Sequence, residues 1–107
     1  MLLFLREACE FLAKSDYVQA SEKSWGVAVQ IVKALAAKEG KKLRSHASLW
    51  QYVDDLAKRL QDGELRYLWR TANCLHQNFY ENWMPSDEVT LAIEDVKKFI
   101  ERLKKLF

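Results

Sequence analysis

Apolar residues recur every three to four positions along nearly the whole of this sequence, and almost nothing interrupts them. The strong helix breakers in 107 residues are one proline and three glycines. Gly40 and Gly63 stand where the apolar period lapses, and Pro85 precedes its last resumption. No stretch alternates apolar with polar residues, or gathers β-branched ones, as a strand would. Period and punctuation together predict five helices and exclude a sheet.

The first predicted helix, 2–14, puts Phe4, Leu5, Ala8, Phe11 and Leu12 on one face. The second, 17–39, follows Asp16 as a candidate N-cap, with Gln19 at the capping-box position. It is apolar around most of its girth, through Trp25, Val27, Ala28, Val29, Ile31, Val32, Leu35 and Ala36. Only Lys23, Gly26, Gln30 and Lys33 are left for water, the pattern of a central helix with neighbours on two sides. A basic loop over 41–47 carries Lys41, Lys42 and Arg44.

The third helix, 49–62, is expected to open on a Ser48-x-x-Gln51 capping box and to bury Leu49, Val53, Leu56, Ala57 and Leu60. The fourth spans 64–83. The fifth, 87–106, starts at Ser86, with Asp87 and Glu88 suited to the positive end of the helix dipole. Its apolar face runs through Val89, Ala92, Ile93, Val96, Phe99, Ile100, Leu103 and Leu106. Short connections make sequential helices antiparallel neighbours. The expected architecture is an all-α, up-and-down bundle of four to five antiparallel helices, forming a single domain over 1–107.

Composition narrows the setting. A net charge of +2 neither demands nor repels nucleic acid. Cys9 and Cys74 supply no disulfide framework and no metal-ligand spacing, which predicts a reducing, cytoplasmic environment. The opening MLLFL offers only five apolar residues before Arg6. A signal core takes roughly 7–15 and a membrane helix about 20. No membrane association is expected, and no motif calls for a cofactor.

Chemistry-bearing residues concentrate in RTANCLHQNFY, Arg70–Tyr80. The fourth helix's apolar stripe runs Leu65, Leu68, Trp69, Ala72, Leu75, Phe79, Trp83, centred near Ala72. At about 100° per residue, His76 falls roughly 40° from that centre, Asn73 roughly 100°, and Arg70 roughly 160°. His76 is therefore expected to point into the bundle and Arg70 away from it. The two lie about 9 Å apart along one helix, so a single subunit cannot aim both at one substrate atom. An inward histidine needs partners for its ring nitrogens, and Asn73, Tyr80 or a residue of the second helix could supply them. The default for such a residue is a neutral core histidine; a site near a subunit interface is the competing reading.

The remaining candidates have plainer defaults. Cys74 and His76 diverge by roughly 160° on a helix, so they do not begin a zinc site. His46 reads as a solvated loop residue. Trp25, Trp50, Trp69 and Trp83 read as core packing, with Trp50 and Trp83 near helix ends as candidate interface aromatics. The basic residues Lys97, Lys98, Arg102, Lys104 and Lys105 alternate with Glu94, Asp95 and Glu101, which suits a solvated face.

Three stretches, YVQASEKSWGVAVQIVKALAAKEG, HASLWQYVDDL and LWRTANCLHQNFYENWM, resemble the archaeal Pyrobaculum-repeat (PaREP-type) family of small helical proteins. More distantly they resemble the HEPN superfamily. The ASEK…KALA helix, Trp69–Ala72 and Leu75–Glu81 carry most of the likeness. It implies a HEPN-like homodimer, either binding a protein partner, a nucleotide or RNA without catalysis, or cleaving RNA as a toxin with a nucleotidyltransferase-like antitoxin. HEPN ribonucleases set four to six residues between an arginine and a histidine that follows it, in a cleft that two subunits share. Arg70 and His76 match that spacing. In the ribonuclease reading His76 would act as base or acid in metal-independent cleavage, and Arg70 would steady the charge at phosphorus. In the binding reading the candidates are Asn73, Asn78 and Tyr80 around His76, with Lys41, Lys42 and Arg44 in the loop.

Overall fold

The computed structural model describes residues 17–107, which form four helices and no strand. We label them α1 (Tyr17–Lys38), α2 (His46–Leu60), α3 (Gly63–Glu81) and α4 (Ser86–Lys104). The predicted helix 2–14 and the Asp16 cap lie outside the described residues. Helices α1, α3 and α4 each pack against the other two, while α2 lies mainly on α3 and touches α1 more lightly. The result is an all-α bundle, as the period demanded.

α1 sits where its girth of apolar residues can be used. Val27, Ala28, Val29, Ile31, Val32, Leu35 and Ala36 are all buried, against α3 on one side and α4 on the other. Gln30 and Lys33 remain exposed. α4 buries seven residues spaced three and four apart, from Val89 to Leu103. α3 contributes Leu65, Leu68, Trp69, Ala72 and Leu75, with Trp69 packed against Phe99 of α4 at 5.8 Å between ring centres. Burying side chains of this size stabilises the fold by about 1.5–3 kcal/mol each relative to exposure.

Caps set the helix boundaries, and here the expectations need correction. α2 begins earlier than predicted. Ser45, not Ser48, is its N-cap, and the reciprocal bonds run between the two serines: each backbone N–H donates to the other's hydroxyl, at 3.0 and 3.1 Å. Gly63 does not end a helix. α2 terminates on Gln61 in the left-handed region (φ 53°), Asp62 caps α3 by accepting from Leu65 N, and Gly63 is already helical. Gly40 does fill its expected role: at φ 79° it lets Lys41 N donate back to Ala36 O. Leu60, predicted as core, is exposed. It lies in the last turn of α2, at the rim of an open pocket shared with Leu35, Leu56 and Leu106.

Charged groups then lock the ends. Arg102 of α4 donates to Asp62 and to Glu64 at the start of α3. Arg59 and Tyr52 of α2 both donate to Glu39, just past α1.

Candidate functional site

The face of α3 carrying His76 meets α1 near its N-terminal end. There α1 offers Glu22 and, one turn on, Trp25. His76 Nδ1 lies 3.1 Å from Glu22 Oε2, and its ring stacks on the Trp25 indole with centres 3.7 Å apart and planes 15° from parallel. Tyr80, one turn along α3, meets the imidazole edge-on at 5.2 Å. The acceptor comes from the second predicted helix, one of the sources the sequence left open. Burial is shallower than expected, since the His76 side chain keeps 21% of its exposure. A carboxylate and an indole facing it, in place of aliphatic side chains, leave a partly wet rim where a dry core was expected.

His46 is not the free loop residue its context suggested. It is the first residue of α2, and its ring lies 5.8 Å from Trp25 and 5.6 Å from His76, with all three planes within 26° of parallel. Two imidazoles and an indole from three helices thus form one aromatic cluster. Trp25 contributes a buried Nε1 that finds no acceptor among the described residues. Among the described residues no group of three or more His, Cys, Asp or Glu side chains is arranged to hold a metal.

Arg70 faces elsewhere, as the helical period required. It is exposed and lines a cleft of about 410 Å³ between α2 and α3, with Trp50, Gln51, Asp54, Arg66 and Trp69. Arg66 Nε stands 2.9 Å from Asp54 Oδ1, but its N–H is not aligned to donate, so the contact is charge pairing alone. Lys58 holds the same carboxylate, and Asp54 stays below the usual carboxylate range because of the Lys58 hydrogen bond. Unbroken helix separates Arg70 from His76, and the described residues do not bring them together.

The other candidates sort by what they touch. Asn78 is fully buried and structural: its Nδ2 donates to Ser21 Oγ of α1 at 3.0 Å, and its Oδ1 accepts from Met84 N at 2.7 Å. That ties α3, α1 and the turn into α4 at one point and leaves no group for a ligand. Asn73 donates back to Trp69 O on its own helix at 2.9 Å. Tyr80 is largely exposed. Lys41, Lys42 and Arg44 join Lys33 of α1 around a shallow concavity of about 320 Å³. Lys41 is drawn to Glu39 at 4.0 Å and lies over the Tyr52 ring; Lys42, Arg44 and Lys33 form no salt bridge among the described residues.

Compared with known proteins, the sequence matches the archaeal PaREP1/PaREP8 family over residues 1–100. The chain belongs to that family. The crystal structure of a protein from Sulfolobus solfataricus superposes with a TM-score of 0.84, covering 96% of this chain and 92% of that one at 28% identity. No protein of curated function matches. Within this PaREP1/PaREP8 bundle, Glu22 and Trp25 are the site residues that sequence reasoning missed as partners of His76. Their signal was present: Glu22 is the one acid before Glu39 on a helix that is apolar around most of its girth, and it stands one turn ahead of a tryptophan.

Proposed function

We propose that this chain is a non-catalytic binding module that takes single-stranded RNA along a strip from the basic loop to the imidazole–indole cluster. One observation carries the reading: the loop bearing Lys41, Lys42 and Arg44, backed by Lys33, runs directly into His46, whose ring joins Trp25 and His76. Lys33, Lys42 and Arg44, which form no salt bridge among the described residues, suit a phosphate backbone, and partly exposed rings with Tyr80 beside them suit unstacked bases. Arg70 supports the non-catalytic form, because on one subunit it stands on a different face from His76.

A ribonuclease reading has one point in its favour. Glu22 engages Nδ1 of His76, which fixes the ring and leaves Nε2 as the nitrogen for proton transfer. That chemistry needs Arg70 from a second subunit.

Fluorescence anisotropy with a labelled single-stranded RNA separates these. Binding is expected to weaken with salt, log K falling with a slope of about −2 to −3 if three to four phosphates are neutralised. Combined Lys33→Glu, Lys42→Glu and Arg44→Glu substitution should abolish it. RNA left intact by the wild-type protein supports the binding module. Cleavage by wild type that is lost in a folded His76→Ala variant assigns the ribonuclease instead.

A further inference from the structure

The trough between α3 and α4 lies away from both surfaces considered so far. It has a volume of about 380 Å³, and its borders are Tyr67, Trp83 and Leu91. These side chains are 63%, 50% and 60% exposed, and they are three of the seven large apolar residues left in water among the described residues. Each square ångström of such surface costs about 25 cal/mol when left hydrated, so three large side chains on one trough mark a surface that gains by being covered.

Charge says what covers it. The charged residues of the trough are Glu88 and Asp95, seven positions apart on α4 with Leu91 between them. Neither forms a salt bridge among the described residues. The lining contains no lysine or arginine. A second copy of the chain meeting this face about a twofold axis would set the same carboxylates against each other, which a self-complementary interface avoids.

We propose that the α3–α4 trough is a docking surface for an amphipathic helix of a partner protein whose apolar stripe is flanked by lysine or arginine. A channel between two packed helices accepts a third helix along its length. Tyr67, Leu91 and Trp83 meet the partner's residues at i, i+3/i+4 and i+7, and Glu88 and Asp95 meet its basic flank. Binding energy comes from the three apolar side chains, while the two carboxylates select the partner.

The test uses the full chain and two fluorescein-labelled helical peptides of about 26 residues, long enough to cross the 38 Å length of the molecule. Both peptides carry the same leucine stripe, one flanked by lysine and the other by glutamate. The lysine-flanked peptide is expected to bind at least tenfold more tightly. Leu91→Ala and Trp83→Ala should each weaken it at least fivefold, and Glu88→Lys with Asp95→Lys should invert the preference. Trp83, Glu88 and Leu91 are exposed and Asp95 is half-buried, and circular dichroism checks that the variants keep wild-type helicity. Equal binding of the two peptides, no binding of either, or a preference unchanged by the charge reversal overturns the proposal. So does sedimentation showing a wild-type dimer that Leu91→Ala dissociates, which would assign the trough to a second copy.

Discussion

His76 lies face to face with Trp25, their ring centres 3.7 Å apart, and that stack joins α3 to α1 at the edge of the core. The imidazole is held on a second side by Glu22 and meets Tyr80 edge-on. Most of what it contributes to stability is therefore ring contact, with the carboxylate adding direction.

Replacing the ring should reveal this division. His76→Ala removes both contributions and is expected to cost about 1–2 kcal/mol, from an aromatic pair and a partly buried hydrogen bond. His76→Phe keeps the stack and should recover more than half of that loss. Urea denaturation of the two variants measures the difference. Equal destabilisation by both would show that Glu22, and not Trp25, anchors the ring.

Asn78 is expected to be the more costly residue. Asn78→Ala removes the acceptor of Met84 N–H and the hydrogen bond that Asn78 donates to Ser21 Oγ, inside a fully buried site. A loss of about 2–4 kcal/mol follows, with the turn into α4 loosened first. Thermal unfolding gives the magnitude, and amide exchange at Met84 localises it.

Tyr52 provides a pH signature. Burial, followed by donation to the Glu39 carboxylate, pushes its phenol up to about 12. A group that holds its proton more tightly when folded contributes stability that is fully present below its unfolded value, near 10, and is lost as pH rises through about 12. Stability should thus fall between pH 10 and 12. Absorbance at the phenolate band should show one tyrosine titrating late, and Tyr52→Phe should remove both effects.

Two glycines should respond in opposite directions. Gly26 sits inside α1, and a Cβ there would meet nothing within 4 Å. Gly26→Ala is expected to stabilise by about 0.5–1 kcal/mol through helix propensity. Gly40 holds φ 79° at the end of α1, so Gly40→Ala should destabilise by about 1 kcal/mol although space is free around it. Denaturation midpoints of the two variants test the signs.

Much of this was legible in the sequence, and the misses have specific causes. One residue every 100° placed Arg70 outside and His76 on the side facing α1, because α3 runs unbroken through both. The same period gives the direction of a side chain but not its depth. His76 is shallower than expected because the facing helix presents Glu22 and Trp25 there. Asn78 lies roughly 120° from the stripe centre by that period, yet it is buried, since the turn after α3 folds back and hangs Met84 N–H on its side chain. The Ser45 cap was missed because His46 and Ala47 carry no apolar period that would have extended α2 backward. Which two surfaces a loop brings together, as 41–45 does with His46 and the α1–α3 seam, depends on distances that no local pattern encodes.

The connection from α2 to α3 is only Gln61 and Asp62, whereas α2 is joined to α1 by seven residues and packs lightly against it. Helices α1, α3 and α4 close on one another without α2. α2 can then part from the bundle as a flap hinged on its C-terminal turn, without parting the other three helices. Its amides would exchange with solvent ahead of theirs, and His46 and Trp50, which ride on it, would open the aromatic cluster and the Arg70 cleft in a single motion.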